Sequence, residues 1–290
     1  MFPPEASKEA FRDAVTRRAG ASVAARVAAI EESLQERLAP ILAHRSVRSF
    51  DSSRSIPREL VEALVVAGQS AATSSNLQLY SLVSVQEPAR RAQIATLCAE
   101  QRQVREAGWF FAVCLDHHRL RVAGEAVDTD PTGLDYVEYL LMSAIDAALF
   151  AERFVVAAES IGLGICYIGA LRNRAAEVAE LLALPDGVVG LFGLCLGVPA
   201  AGHELHREEA IKPRLAPAGV WFEETYPSDA STVVQQTQAY DERMRPHYEG
   251  RGQKGTVTWS MRSARRADDE HLTGREALKP FLESRGFMRR

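Results

Sequence analysis

The part of the sequence that most restricts the fold is the apolar run over residues 134–163. Its length and spacing predict one long helix, and its small side chains would let other elements pack closely against it: Ser143, Ala144, Ala147, Ala148 and Ala151. Asp146, Glu152 and Arg153 interrupt the run, which makes it unsuited to spanning a membrane. Gly162 and Gly164 follow, and glycine commonly ends helices. The sequence therefore predicts a long central helix inside a soluble protein.

Shorter apolar runs predict strands over residues 80–85, 109–115, 165–168 and 188–198. The run over 109–115 is unbroken, which suits a strand that is covered on both faces. Further helices are predicted over residues 22–43, 57–68, 88–98, 175–182, 232–248 and 275–283. Helices outnumber strands without the strict alternation of a doubly wound sheet, so the predicted class is α+β, with a modest sheet around the central helix.

The domain organisation follows from where the apolar core lies. Residues 1–21 form a polar leader for which the sequence specifies no structure. No linker divides the apolar elements that follow, so residues 22–290 are predicted to form a single domain, with a polar and irregular extension over 199–290.

Charge and cysteine usage indicate the compartment and exclude some partners. The formal net charge of −4 gives no reason to expect nucleic acid, and the short basic runs are interpreted as solvated surface: Arg17–Arg18, Arg90–Arg91, Arg265–Arg266 and Arg289–Arg290. Cys98, Cys114, Cys166 and Cys195 lie far apart, which favours free thiols in a reducing cytoplasm. His117 and His118 have no partners at metal-ligand spacing, so no metal is expected and a solvated loop is predicted there.

The segment His44-Arg45-Ser46-Val47-Arg48 is the first candidate for binding a ligand. In extended backbone His44, Ser46 and Arg48 project to one side and span roughly 13 Å. Three such groups could follow a ligand with a phosphate at one end and a polar ring at the other. A polar loop after a helix explains the same residues, and the segment alone does not decide between these interpretations.

A second candidate is Lys212-Pro213-Arg214, in the polar extension. Proline stiffens the chain, and an extended arrangement points Lys212 and Arg214 the same way. Two cations held together suit a phosphate dianion, Arg as a fork and Lys as a point charge. Taken alone, such a triplet is most often plain surface.

The polar run over residues 73–78 could bond the hydroxyls or the edge of a heterocycle, although a loop of capping groups is an equal alternative.

The glycines between 162 and 169 have the wrong spacing for a dinucleotide fingerprint, and they follow a helix and enter a strand, the reverse of the required order. The better interpretation is that Tyr167-Ile168-Gly169 ends a buried strand whose backbone a flat ligand can approach.

These segments together resemble the nitroreductase family, in the branch of NADPH-dependent nitroreductases and flavin oxidoreductases. The similar segments occur in the family's order: HRSVRSF at 44–50, TSSNLQ at 73–78, Gln101, AAESIGLG at 157–164, YIG at 167–169, LRN at 171–173, LFGLCLG at 191–197 and KPRL at 212–215. The resemblance implies a nitroreductase-like fold, with a mostly antiparallel sheet flanked by helices. It also implies an intertwined homodimer that has FMN at its interface and is wrapped by the C-terminal extension.

The resemblance also implies a role for each site residue. The FMN phosphate would be held by His44, Ser46, Lys212 and Arg214, with Arg45 adjacent. Arg48 and Gln101 would lie at the pyrimidine edge, where the charge of Arg48 stabilises the reduced flavin. Ser74 and Asn76 would reach the flavin of the other subunit. The wall over the ring and its N5 would be formed by Tyr167, Ile168 and Gly169. Ala170 stands where this branch often has a glycine, and alanine would be tolerated there if the φ of that residue is negative.

The implied reaction is a ping-pong transfer of hydride from NADPH, or NADH, through tightly bound FMN to nitroaromatics, quinones or related small acceptors. No side-chain nucleophile or general base is expected. The family's basic nicotinamide loop corresponds to residues 251–256, and this segment is shorter and less basic than the family's loop. Arg251 and Lys254 are the cations that would bind the nicotinamide nucleotide. Two alternatives keep the cofactor: a specialised flavin reductase, and a non-catalytic flavin-binding or regulatory protein.

Overall fold

The computed structural model describes residues 6–201, 211–250 and 257–290. The described chain forms two compact units. The first unit contains the residues up to Arg45 and those from 211 to His271, and the second contains Ser46–Ala201 and Leu272–Arg290.

The helices of the described residues are α1 (Lys8–Ala19), α2 (Ala21–Val27), α3 (Glu32–Leu42), α4 (Arg58–Gln69), α5 (Pro88–Leu97), α6 (Arg102–Glu106), α7 (His118–Glu125), α8 (Val137–Ser160), α9 (Ala175–Leu181), α10 (Ala230–Glu249), α11 (Trp259–Arg266) and α12 (Leu278–Ser284). The strands are β1 (Tyr80–Ser84), β2 (Trp109–Asp116), β3 (Gly164–Ile168) and β4 (Val188–Gly197).

The four strands form one sheet in the second unit, in the order β1-β2-β4-β3. Every neighbouring pair is antiparallel. Strand β2 is buried from Phe110 to Asp116, as its unbroken apolar run predicts. The α+β class and the antiparallel sheet are therefore confirmed.

Helix α8 is the predicted central helix, and it packs through aromatic side chains. Phe150 and Phe154 are fully buried, and the Phe150 ring stacks on Tyr80 of β1 with 4.6 Å between centroids. Phe150 also lies against Gly68 of α4, where an added Cβ would come within 2.6 Å of the ring. The helix is followed by Gly162, whose φ of 76° is the left-handed conformation expected of a glycine after a helix.

The opposite face of α8 carries an apolar stripe that the second unit does not cover. Its members recur every four residues and are about half exposed: Val137 at 53%, Leu141 at 53%, Ile145 at 51% and Leu149 at 44%. Side chains four residues apart lie on one face of a helix, so these four form a continuous strip, the α8 stripe.

The prediction of a single helix over residues 22–43 is wrong, because α2 ends at Val27 and α3 begins at Glu32. The buried side chain of Gln35 stabilises the break by donating to the carbonyls of Ala28, at 3.3 Å, and Ile30, at 2.7 Å. Hydrophobic periodicity continues across the break, and for this reason the sequence pattern did not reveal it.

The sequence specified no structure for residues 1–21, and the described part of that segment contains helix α1. The Ser7 hydroxyl caps it by accepting from the Ala10 amide at 3.1 Å. Phe11 and Val15 of α1 are buried together with residues of α2 and α3: Val23, Ala24 and Ala39. The three helices thus form a small apolar core in the first unit.

The prediction of a solvated loop is wrong for His117, whereas His118 is exposed as predicted but belongs to a helix. His117 is fully buried, its ring lies 4.3 Å from the Phe287 ring, and its Nε2 is 3.1 Å from the carbonyl oxygen of Tyr139. Burial lowers the pKa of His117, since a charged imidazolium is unfavourable there. His118 begins α7.

Across residues 6–201, 211–250 and 257–290, none of the helices has both the length and the apolar character needed to cross a bilayer.

Candidate functional site

Two glycines of the sheet allow the segment after His44 to lie across the strand ends. Gly164 of β3 and Gly197 of β4 are directly paired. Val47 packs on Gly164, where an added Cβ would lie 2.7 Å from a Val47 methyl carbon, and Phe50 packs on Gly197. The Val47 amide donates to the Ile165 carbonyl at 2.8 Å. The sheet therefore fixes this segment, and the glycines serve close packing.

Burial along this segment alternates only from Ser46 onwards, because His44, Arg45 and Ser46 are all half-buried. Val47 is buried at 1% exposure, while Ser46 is half-buried and Arg48 is exposed. Arg48 lies close enough to β3 to act on Cys166: burial raises the pKa of that thiol, and the Arg48 charge opposes the increase. Arg48 is thus placed beside the strand that leads into Gly169.

The Lys212-Pro213-Arg214 triplet lies in the first unit, and its side chains also alternate. Lys212 and Arg214 are exposed. Ile211 and Pro213 point the other way and line a cavity of about 320 Å³. The two cations therefore project to the same side, as the extended arrangement requires.

The backbone of the triplet is held by side chains of other helices. The Pro213 carbonyl accepts from the Tyr240 hydroxyl at 2.9 Å, and the Arg214 carbonyl accepts from the Arg243 guanidinium at 2.9 Å. Burial raises the pKa of Tyr240, which keeps its hydroxyl protonated as a donor. Helix α10 thus fixes the position from which Lys212 and Arg214 extend.

Arg18 of α1 connects the triplet to the end of α3 within the first unit. Its guanidinium donates to the carbonyls of Leu42 at 3.0 Å, Lys212 at 3.2 Å and His44. In return, the Arg18 carbonyl accepts from the Arg214 amide at 2.7 Å. The structure therefore brings His44 and Lys212, both predicted to bind phosphate, to one guanidinium. Arg45 follows directly and is half-buried.

The interpretation of the basic pairs as solvated surface is wrong for two arginines. Arg18 is half-buried, and its guanidinium donates to backbone carbonyls. Arg91 is 6% exposed and donates to the carbonyls of Val85 and Ala107, both at 2.7 Å. A buried guanidinium needs such partners, because an uncompensated buried charge is costly.

Ser74 and Asn76 lie in a 3-10 turn that α8 holds in place. The buried carboxylate of Asp146 accepts from the backbone amides of Ser74 at 2.8 Å and Leu79 at 3.2 Å. Positive φ angles of 49° at Ser75 and 57° at Asn76 show a backbone that non-glycine residues rarely adopt. Such backbone persists where its surroundings fix it, and it is concentrated at functional sites.

Gln101 precedes α6 and is linked to β3 through Gln103. The side-chain amide of Gln103 donates to the Gln101 side-chain oxygen at 2.6 Å. A hydrogen bond with Gln103 also opposes the increase that burial causes in the pKa of the Cys166 thiol. Gln101 is therefore linked to Cys166 of β3 through Gln103, and Arg48 acts on the same cysteine through its charge.

The side chains of Tyr167 and Ile168, in the predicted wall, are engaged within the second unit. The Tyr167 hydroxyl donates to Glu152 of α8 at 3.1 Å, and Ile168, the next residue, is fully buried. Burial raises the pKa of Tyr167, and the Glu152 charge adds to this effect. At Gly169, by contrast, an added Cβ would meet nothing closer than 3.7 Å. Ala170 lies in a right-handed 3-10 turn, so its side chain is tolerated.

Arg275 fixes the loop after β3 from the C-terminal part of the second unit. Its guanidinium donates to the Gly169 carbonyl at 3.0 Å and to the Asn173 side chain at 2.9 Å. Arg275 and Arg18 could not be found from the sequence, since nothing local distinguishes them from surface arginines. Asp146 did carry a signal, a carboxylate inside an apolar helix.

Arg251 and Lys254, the predicted nicotinamide-binding cations, lie outside the described residues. Among the described residues there is no group of three or more His, Cys, Asp or Glu side chains able to hold a metal ion.

The residues present fit the FMN that the resemblance implies. In the first unit, two exposed cations extend from a fixed backbone that also approaches His44, which suits a phosphate. In the second unit, Gly169 has no side chain to keep a flat ring from its backbone, and Arg48 supplies a positive charge beside the same strand.

Comparisons with known proteins identify the family. Residues 41–197 match the model of the nitroreductase family, and residues 212–290 match the model of its C-terminal domain. Helices α1 and α2 precede both matched spans. A protein named Cr(VI) reductase from Pseudomonas sp. (strain G-1) is 36% identical over 245 residues, which are 84% of this chain and 96% of that protein. An FMN reductase (NADPH) from Bacillus subtilis (strain 168) is 38% identical over 222 residues, or 76% and 86% of the two chains.

The fold is also similar to that of the NfrA1 nitroreductase from B. subtilis. The TM-score is 0.79 at 34% sequence identity, and the alignment covers 86% of this chain and 98% of the other. The matched spans include the segment after His44, the loop at Ser74, strand β3 with Gly169, and the Lys212 triplet. This chain therefore belongs to the nitroreductase family.

Proposed function

We propose that this protein is an FMN-dependent NAD(P)H oxidoreductase, which passes hydride from a nicotinamide to small electron-poor acceptors. The observation that carries the proposal is the paired projection of Lys212 and Arg214 from a backbone that also meets His44 through Arg18. An anionic phosphate group is the ligand that such a set of cations suits best.

The proposed roles divide between the two ends of the cofactor. His44, Ser46, Lys212 and Arg214 hold the phosphate, with Arg45 adjacent. Bound FMN would accept hydride from the nicotinamide and pass two electrons to the acceptor. Arg48 would stabilise the negative charge that accumulates at the pyrimidine edge, and Gln101 would bond the same edge. Tyr167, Ile168 and Gly169 would contribute the wall near N5 through their backbone, and protons come from solvent.

The co-substrate and the acceptor are proposed from the family and its named members. Relatives named FMN reductase (NADPH) and Cr(VI) reductase favour a nicotinamide-linked reduction with acceptors of more than one kind. We propose NADPH as donor, with NADH as an alternative, and nitroaromatics, quinones or free flavin as acceptors. Arg251 and Lys254 would bind the nucleotide. Four buried free cysteines favour the cytoplasm as compartment.

Anaerobic reduction tests the proposed function directly. The purified protein is expected to be yellow and to bleach when NADPH or NADH is added, as followed by flavin absorbance. A yellow protein that responds to neither nucleotide would instead be a flavin-binding protein without this activity. A colourless protein that takes up no FMN would refute both. A steady-state panel of nitrofurans, quinones and free FMN then ranks the acceptors.

We further propose that the protein is a homodimer with FMN at the interface and with Ser74 and Asn76 contributed by the second subunit. The α8 stripe supports this proposal, because four half-exposed apolar side chains on one helix face form a patch that a second copy would cover. The C-terminal extension would wrap around the partner.

Replacing Leu141 and Ile145 together with glutamate is expected to convert the dimer to monomer, because two charges would be buried in an apolar contact. Light scattering after size-exclusion chromatography measures the mass. The matched control is Val122→Glu, at a residue of α7 that is 49% exposed and outside the stripe. A double variant that stays dimeric, or a monomeric parent protein, would contradict the proposed interface.

A further inference from the structure

Helix α1 carries a structural arginine into the middle of the proposed phosphate site. The Arg18 guanidinium bonds the carbonyls of Leu42 and His44 on one segment and of Lys212 on the other. The Arg214 amide bonds back to the Arg18 carbonyl at 2.7 Å. One residue of α1 therefore contacts both backbone segments from which the phosphate-binding side chains extend.

The position of Arg18 is defined by the packing of its helix. α1 is capped at Ser7 and buries Phe11 and Val15 in the small core that it forms with α2 and α3. The helix ends at Ala19, and Gly20, with a φ of 95°, turns the chain two residues after Arg18. Because both ends of α1 are fixed, Arg18 reaches the carbonyls from a rigid element.

Arginine is suited to this task in a way that lysine is not. Its planar guanidinium presents five N–H donors in a fixed fork, so it can hold several carbonyls at a defined spacing. The carbonyl dipoles offset its charge in the apoprotein. A phosphate placed among His44, Lys212 and Arg214 would still gain from a further positive charge nearby.

We propose that Arg18 is a positioning residue of the cofactor-phosphate site, which it organises by holding the His44 and Lys212 backbones together. The inference rests on the proposed function, since it assumes that these segments bind the phosphate of FMN. α1 precedes residue 41, where the match to the family model begins, so the family motifs assign no role to Arg18. The phosphate site of this chain would therefore include an element outside the span that the family model matches.

The test compares FMN with riboflavin, which has the same ring system but no phosphate. Full-length protein is saturated with either flavin and diluted, and the released flavin is measured by its fluorescence. Arg18→Ala is expected to weaken FMN binding by about 10-fold or more, which corresponds to about 1.4 kcal/mol, because the His44 and Lys212 backbones would no longer be held together. Riboflavin binding is expected to be unchanged.

Two further variants separate geometry from charge and from general effects. Arg18→Lys retains the charge but not the fork, so we expect it to lose most of the same FMN affinity. Arg26→Ala is the matched control, because Arg26 is an exposed arginine of α2 whose hydrogen bonds to the described residues go to Ser22. It should bind FMN as the parent protein does.

Three outcomes would overturn the inference. These are an unchanged FMN affinity in Arg18→Ala, an equal loss for FMN and riboflavin, and a full recovery in Arg18→Lys. The second would show a general loss of structure, which thermal unfolding of each variant would also detect. A parent protein that binds neither flavin would instead refute the proposed function.

Discussion

Replacing Lys212 and Arg214 together with alanine is expected to weaken FMN binding by about 100-fold or more. Each side chain would supply a charge-assisted hydrogen bond to the phosphate, and bonds to charged groups contribute roughly 1.5–3 kcal/mol each. The backbone of the triplet should keep its place, because Tyr240, Arg243 and Arg18 hold it independently of the two side chains. Fluorescence titration with FMN and riboflavin measures the loss, which should fall on FMN alone.

The division of roles in the site is tested by comparing this variant with Arg48→Ala. Arg48→Ala is expected to lower the reduction potential of bound flavin and to slow hydride uptake, with a smaller loss of affinity. A matched control is Lys279→Ala, which removes an exposed lysine that is paired with Glu283 at 3.9 Å. Equal affinity losses in the Arg48 and triplet variants, with no change in potential, would contradict the assignment.

Gly164→Ala is expected to destabilise the protein by about 1–3 kcal/mol, the usual cost of overpacking a filled core. The added methyl would lie 2.7–2.9 Å from three side-chain carbons of Val47, which is 1% exposed and has no room to move. Val47 would be pushed off the sheet, and its 2.8 Å bond to Ile165 would weaken. Urea unfolding measures the loss of stability, and FMN affinity should fall with it because Ser46 and Arg48 flank Val47.

The control for this substitution is Gly108→Ala, directly before β2 in the same unit. An added Cβ there meets Ile56 at 3.4 Å, which is ordinary van der Waals contact, so little change in stability is expected. If both variants lost the same stability, the close approach of Val47 would not be the reason that glycine is required at 164.

The sheet and the central helix could be predicted because their signals are local. An unbroken apolar run gave β2, and a long apolar stretch followed by Gly162 gave α8. The break between α2 and α3 could not be predicted, since the Gln35 bonds that stabilise it do not change the hydrophobic period.

The positions of side chains that depend on distant partners could not be predicted either. Arg18 and Arg91 belong to short basic pairs that are identical in composition to exposed ones. What distinguishes them is a set of backbone carbonyls supplied by other elements. The role of Asp146 could be predicted only in part. Its charge argued against a membrane span, but its hydrogen bond to the Ser74 loop becomes evident only from the structure. The phosphate-binding role of His44 and Lys212 stays a prediction that the proposed variants test.

The hydrogen bond from Arg18 to Lys212 also bears on when this protein can acquire its cofactor. The two residues are separated by 194 positions, so α1 leaves the ribosome long before the triplet is made. At about 5–20 residues per second, that interval lasts roughly 10–40 s. During that interval the Lys212 segment does not yet exist, so Arg18 cannot bond it. The entropy cost of closing so long a loop must then be met before the hydrogen bond can stabilise the site. A cofactor phosphate bound as proposed would therefore be loaded only after the Lys212 segment has been made and has joined Arg18.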